Sequence, residues 1–149
     1  MLNHTIHKGN TLEELIEKSY PNVTNFLGEY EQLSYTMIMI SPDKKSISYS
    51  SGGMYPFLIK TKEKVLKLKA NNTPFMNFSD LPVCTKVELD DWESIMVYTD
   101  GIVEHEHETL ANLTPQNIIK EPSFIKQSLK DIASHEFEDD ITLIYLKNI

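Results

Sequence analysis

Arginine does not occur in this sequence: the 14 basic residues among its 149 are all lysine. The planar fork that reads guanine and clamps phosphate through two parallel hydrogen bonds is therefore absent. The lysines are outnumbered by 22 acids, giving a net charge of -8, and they form no stripe. A nucleic-acid partner is excluded on that ground. Cysteine is nearly absent. Cys84 stands alone, which rules out an internal disulfide and fits a reducing compartment. Long apolar runs are missing too. The longest, such as 37–40 and 95–98, fall far short of the roughly 20 residues that a membrane-spanning helix needs. Residues 1–10 contain no apolar core of an export signal. These absences together lead us to expect a cytoplasmic protein that engages neither membrane nor nucleic acid.

The remaining composition is that of an ordinary folded domain, with 40% hydrophobic and 24% charged residues. Its length suits a single domain, 1–149, with one core. The charge is unevenly spread. Residues 87–119 hold no lysine, while Glu88, Asp90, Asp91, Glu93, Asp100, Glu104, Glu106 and Glu108 gather there. Most of these acids read as a solvated face. One or two are candidates for a cleft that holds cations.

Thr11 and Glu14 have the spacing of a capping box, so a helix is expected from there, with Leu12, Leu15, Ile16 and Tyr20 on one face. Pro21 should end that helix or open a second short one carrying Val23, Phe26 and Leu27, with Gly28 as a stop. The run 34–40 reads as a largely buried strand. Residues 46–50 alternate with period two, as in a half-buried partner, and Ser41-Pro42-Asp43-Lys44 supplies turn chemistry between them. Segments 56–60 and 64–68 form a second expected hairpin. Strands are also expected at 84–89, 94–99 and 141–146. Helices are expected after Thr114-Pro115 and over 123–134, the latter burying Ile125, Leu129 and Ile132. The pattern is α/β, in the sense of an α+β fold with mostly antiparallel strands.

Two acidic positions stand out by placement. Asp100 closes an apolar run and is followed by Gly101; Asp139 and Asp140 immediately precede the last strand. Carboxylates at strand ends are held rigidly and can share a cleft, which is how an oxygen-ligand site for a hard cation is built. Aspartate and glycine are equally at home in ordinary strand-end turns. In Glu104-His105-Glu106-His107-Glu108 the two histidines could ligate zinc, yet no cysteine or third histidine accompanies them, and an exposed loop is the better reading. Cys84 reads as a small buried hydrophobe, and Met37 and Met39 as core.

The wording of these segments is more specific than their placement. Val97-Tyr98-Thr99-Asp100-Gly101-Ile102-Val103-Glu104 resembles the tyrosine-threonine-aspartate-glycine segment of the sporulation stage II E phosphatases, a bacterial branch of the metal-dependent (PPM) serine/threonine protein phosphatases. Asp139-Asp140-Ile141-Thr142-Leu143 is similar to the same family's closing strand. Tyr49-Ser50-Ser51-Gly52-Gly53-Met54-Tyr55-Pro56 resembles its tyrosine-alanine-asparagine-alanine-glycine-histidine-proline stretch. The resemblance implies an α-β-β-α sandwich of mostly antiparallel sheets with flanking helices. It also implies a pair of Mn²⁺ or Mg²⁺ ions ligated by Asp100 and Asp139, with Asp140, Thr99 and Gly101 supporting those ligands. The implied reaction is hydrolysis of phosphoserine or phosphothreonine on a bacterial signalling protein, such as an anti-sigma-factor antagonist, by metal-activated water.

Met54 stands where the family has histidine, and Trp92 where its turn has glycine. The family's first metal aspartates have no counterpart, because no aspartate precedes Asp43. The expectation is therefore a C-terminal part of such a domain, incomplete at the N-terminus and inactive alone. Uncovered side chains on 35–40 and 95–98 would then favour a homodimer. The alternative function is a regulatory or protein-binding module that kept the fold without catalysis.

Overall fold

The structure, a computed structural model, describes residues 11–89, 91–104, 114–121, 123, 130 and 140–149. It is an α+β fold with two antiparallel sheets, and it divides into two compact units: Met1–Met54 with Ala70–Asp90, and Tyr55–Lys69 with Asp91–Ile149.

In the first unit, helix α1 spans Leu12–Thr24. Its capping box is complete, with the Thr11 hydroxyl accepting from the Glu14 N–H and the Glu14 carboxylate accepting from the Thr11 N–H. Leu12 and Ile16 are buried on its inner face. Pro21 does not end the helix as expected. The last turn continues through it, held by the Asn25 N–H on the Pro21 carbonyl and the Thr24 hydroxyl on the Tyr20 carbonyl. A proline this close to a helix end forfeits one backbone bond, and local side-chain bonds make that tolerable.

Strands β1 (Tyr35–Ile40), β2 (Ser46–Gly52) and β5 (Thr85–Glu88) form a sheet in the order β1-β2-β5. The β1–β2 turn is fixed by Asp43, whose carboxylate accepts from the Ser41 hydroxyl at 2.6 Å and from the Lys45 N–H at 3.1 Å. Those two bonds, the hydroxyl's first, hold its carboxyl below the usual pKa. Strand β2 is not the half-buried strand its alternation predicts. It lies between two neighbours, and Ser46, Ser50 and Ser51 are buried along with Ile47 and Tyr49. Their hydroxyls are accommodated by bonds such as Thr36–Ser51 at 2.8 Å and Tyr35–Ser50 at 3.3 Å. Phe75 stacks on Tyr35 at 4.1 Å between ring centroids and fills the space beneath. Cys84, just before β5, is half-buried. Burial first, and the nearby Glu13 charge second, push its thiol up to about 11, so it is protonated and unreactive near neutral pH.

The second unit is a four-stranded sheet in the order β4-β3-β6-β7, with β3 at Phe57–Thr61, β4 at Val65–Leu68, β6 at Trp92–Tyr98 and β7 at Leu143–Lys147. Helix α2, Pro115–Lys120, starts at the expected Thr114 cap, whose hydroxyl accepts from the Asn117 N–H. It lays Ile118 and Ile119 on β3 and β6, where Leu58, Met96, Tyr98 and Ile102 complete a core cluster. The expected exposure along 95–98 is therefore not found. Ile95, Met96 and Tyr98 are buried because β6 is an inner strand with neighbours on both sides. The exposed apolar residues of this sheet are Ile144 and Leu146, on the edge strand β7. Trp92 is likewise not in a turn. It opens β6 and is buried. The segments expected at 123–134 and 105–108 lie outside the described residues, apart from Ser123 and Lys130.

Candidate metal centre

Antiparallel pairing of β6 with β7 ends at Tyr98 opposite Leu143. One residue further, the ladder is completed by a side chain. The Thr99 N–H donates to the Thr142 carbonyl at 3.0 Å, and the Thr142 N–H donates to the Thr99 hydroxyl at 2.9 Å. The same hydroxyl donates to the Asp140 carbonyl at 3.2 Å. Thr99 thus ties the start of the last strand to the end of β6, and the two aspartate-bearing segments lie side by side at one end of this sheet.

Immediately after Thr99 the chain turns. Asp100–Ile102 is a single 3-10 turn, with the Val103 and Glu104 N–H groups both donating to the Asp100 carbonyl, at 2.6 and 3.0 Å. Ile102 is 1% exposed and anchors the turn in the core cluster. Gly101 is buried, and its backbone does not enter the left-handed region. The Asp100 side chain is half-buried. One of its oxygens, Oδ1, accepts from the Gly101 N–H at 3.1 Å, and no lysine pairs with it among the described residues. An unneutralised carboxylate fixed at a strand end, in a stretch without basic residues, is a suitable hard oxygen donor for Mn²⁺ or Mg²⁺.

Two residues that the sequence reading left without a role complete the surroundings. The Tyr55 hydroxyl donates to the Glu104 carboxylate, and the Tyr55 ring lies 6.4 Å from that of Tyr98, tilted. The bond to Glu104 first, then desolvation and the Glu104 and Asp100 charges, hold the Tyr55 hydroxyl above its usual pKa. Two acids and a phenol therefore share this corner. Tyr55 and Glu104 are 49 residues apart, and no spacing rule connects them; only the fold does.

Asp140 is exposed, with its carbonyl on Thr99. Asp139, the second expected ligand, lies outside the described residues, as do His105 and His107. Among the described residues no three of His, Cys, Asp and Glu gather as a metal-binding group. Asp100 fits the part of one ligand in a site that needs more.

The sequence matches the family model "Stage II sporulation protein E (SpoIIE)" over residues 1–148. The chain belongs to the SpoIIE family. Solved structures agree on the fold. The SiaA-PP2C domain of Pseudomonas aeruginosa is similar with a TM-score of 0.67 at 14% identity, over 99% of this chain and 66% of that one. The RsbU and RsbW domains of Rv1364c from Mycobacterium tuberculosis give 0.68 at 19% identity, over 98% and 44%. The phosphatase domain of SpoIIE from Bacillus subtilis, presoaked with Mn, gives 0.52 at 19% identity, over 98% and 69%. This SpoIIE-family chain thus spans less than two thirds of the SiaA and Rv1364c chains. No curated protein matches it. Among the described residues no helix is long and apolar enough to cross a membrane.

The Thr99 tie yields a direct expectation. Thr99→Val keeps the shape of the side chain and removes the hydroxyl that serves both Thr142 and Asp140. Each lost bond is worth about 1 kcal/mol. We expect the Thr142 amide to exchange with solvent at least tenfold faster, and the melting temperature to fall by a few degrees. Unchanged exchange at Thr142 would show that the tie is not made in solution.

Proposed function

We propose that this SpoIIE-family chain supplies Asp100 and Asp139 to the metal site of a cytoplasmic serine/threonine protein phosphatase acting on a bacterial signalling protein. An anti-sigma-factor antagonist is the kind of substrate that fits the family. The observation that supports the reading is the Thr99 tie, which joins the residue before Asp100 to Asp140 and Thr142 at the start of the last strand. When bound, Mn²⁺ or Mg²⁺ would supply positive charge for the phosphoryl oxygens and an activated water for attack on phosphorus. This charge has no arginine counterpart in the chain. Asp100 would hold an ion from a half-buried position on a rigid turn. Thr99 and the core-anchored Ile102 would keep that turn in place, and Tyr55 would hold the Glu104 carboxylate at its far side. Asp140 would support the site through its backbone bond to Thr99.

The test is hydrolysis of a phosphoserine protein by this chain in millimolar Mn²⁺ and in millimolar Mg²⁺. Little turnover is expected, because Asp100 and Asp139 are only part of the oxygen-ligand set that two such ions require. What turnover there is should fall about 100-fold or more in kcat on Asp100→Asn, the order seen when one electrostatic partner of a transition state is removed. No turnover with either ion would favour the non-catalytic, protein-binding module. Robust turnover that survives Asp100→Asn would overturn the shared-site reading.

A further inference from the structure

In the first unit, the segment leading into β5 runs alongside helix α1. The Ser79 carbonyl accepts from the Tyr20 hydroxyl near the end of the helix, and Cys84 lies close enough to Glu13, at its start, to feel that charge. Glu13, Glu17 and Tyr20 are spaced i, i+4 and i+7, so they share one face of α1. Segment 79–84 therefore passes antiparallel to that face. Both of its ends are fixed. The Ser79 hydroxyl donates to the Met76 carbonyl at 3.0 Å. The Asn72 side chain grips Val83 twice, accepting from its N–H at 2.8 Å and donating to its carbonyl at 2.9 Å.

This anchored strap leaves its apolar side chains in solvent. Phe78 is 75% exposed, Leu81 47% and Val83 59%. A loose loop could fold such residues inward; one tied down at both ends holds them in water, at a cost that scales with apolar area. Large apolar side chains crowded together at a surface mark a contact site. The charge around them has one sign. Glu13 and Glu17 on the neighbouring helix face and Asp80 in the strap are exposed, and none of them makes an ion pair among the described residues. Residues 70–85 hold no lysine, and Lys18 is turned about 100° around the helix from Glu17.

We propose that the strap and the α1 face carrying Glu13 and Glu17 form a docking surface for a basic amphipathic segment of a partner protein. The apolar side of that segment covers Phe78, Leu81 and Val83, and its lysines or arginines meet Glu13, Glu17 and Asp80. Charge decides among the occupants. A second copy of this chain, in a two-fold contact, would set the same acids against themselves. An anionic membrane surface would be repelled for the same reason. A helix with apolar residues at i, i+3, i+4 and i+7 and basic residues beside them meets both demands with one element.

The experiment is a titration of the chain with a synthetic peptide of about 18 residues, or five helical turns, followed by amide chemical shifts. The peptide carries leucine at i, i+3, i+4 and i+7 of each stretch and lysine elsewhere. Two controls accompany it: the same peptide with glutamate for lysine, and the leucines and lysines scrambled so that no apolar face remains. Saturable shifts at residues 13–17 and 78–84 are expected from the lysine peptide in the micromolar range. Either control should bind about tenfold more weakly or worse. Phe78→Ser and Leu81→Ser should each weaken binding about fivefold or more while leaving the melting temperature nearly unchanged, since both side chains are exposed. Glu17→Lys should weaken the lysine peptide and strengthen the glutamate one. Equal binding by the scrambled peptide would reduce the effect to net charge and overturn the proposal. So would shifts that map elsewhere, or no saturation. Self-association that gives the same shifts without peptide would put a second copy on the surface and overturn it too.

Discussion

Gly52→Ala is expected to destabilise the chain by about 3 kcal/mol or more, well beyond the usual cost of a glycine-to-alanine change. A Cβ built on Gly52 would sit 2.0 Å from the Thr73 carbonyl oxygen and 2.7 Å from the Tyr35 ring. The first neighbour is backbone and cannot turn aside. Its segment is also held firmly. The Asn71 and Asn72 N–H groups both donate to the Ser51 carbonyl at 3.0 Å, and the Asn71 side chain accepts from the Ser51 N–H at 2.9 Å. Relieving the overlap would break this lacing or push Tyr35 off Phe75. For a chain of this size the melting temperature should fall by about 10 °C. Gly28→Ala is the control, since a Cβ there meets only the flexible Glu31 carboxylate at 3.4 Å or beyond, and a shift of no more than about 2 °C is expected. Equal stability of the two variants would mean that the 70–75 segment does not pack on β2 as described.

The same residues show what was legible in the sequence. The Gly52-Gly53 pair was visible as part of a family-like stretch, but its physical reason was not. Gly53 has φ +67° and Gly52 faces a backbone carbonyl from 21 residues further on; close approach of distant backbone leaves no local pattern. Local chemistry was legible wherever it was self-contained. The Thr11–Glu14 capping box, the Asp43 turn, the Thr114 cap and both hairpins all depend on residues a few positions apart. Partner choice was not. The alternation of 46–50 signalled a strand with one wet face, yet two flanking strands and a set of hydroxyl bonds bury its serines. Strands β5 and β6 are consecutive in sequence and belong to different sheets, a separation that no period-two pattern encodes. Pro21 misled for the opposite reason, because a penalty that stops an isolated helix is small in the last turn of one already packed on its sheet.

For the candidate site, the sequence pointed to Asp100 and Asp139 by their places at strand ends; the Thr99 bonds bring Asp140 and Thr142 to the end of β6, and Asp139 lies outside the described residues. The sequence could not have found Tyr55 and Glu104 together.

The central claim is that Asp100 and Asp139 hold a divalent cation at that sheet end, and Mn²⁺-induced broadening of amide resonances in the 149-residue chain tests it most directly. Two carboxylates in one chain should bind weakly, with a Kd in the millimolar range, because Mn²⁺ keeps its waters unless a fuller set of oxygen ligands replaces them. The account predicts saturable broadening centred on residues 99–104 and 140–142. Asp100→Asn and Asp139→Asn should each weaken it at least tenfold without changing the melting temperature by more than a few degrees. Broadening centred elsewhere on the chain, or a pattern at this site that survives both substitutions, would contradict the claim.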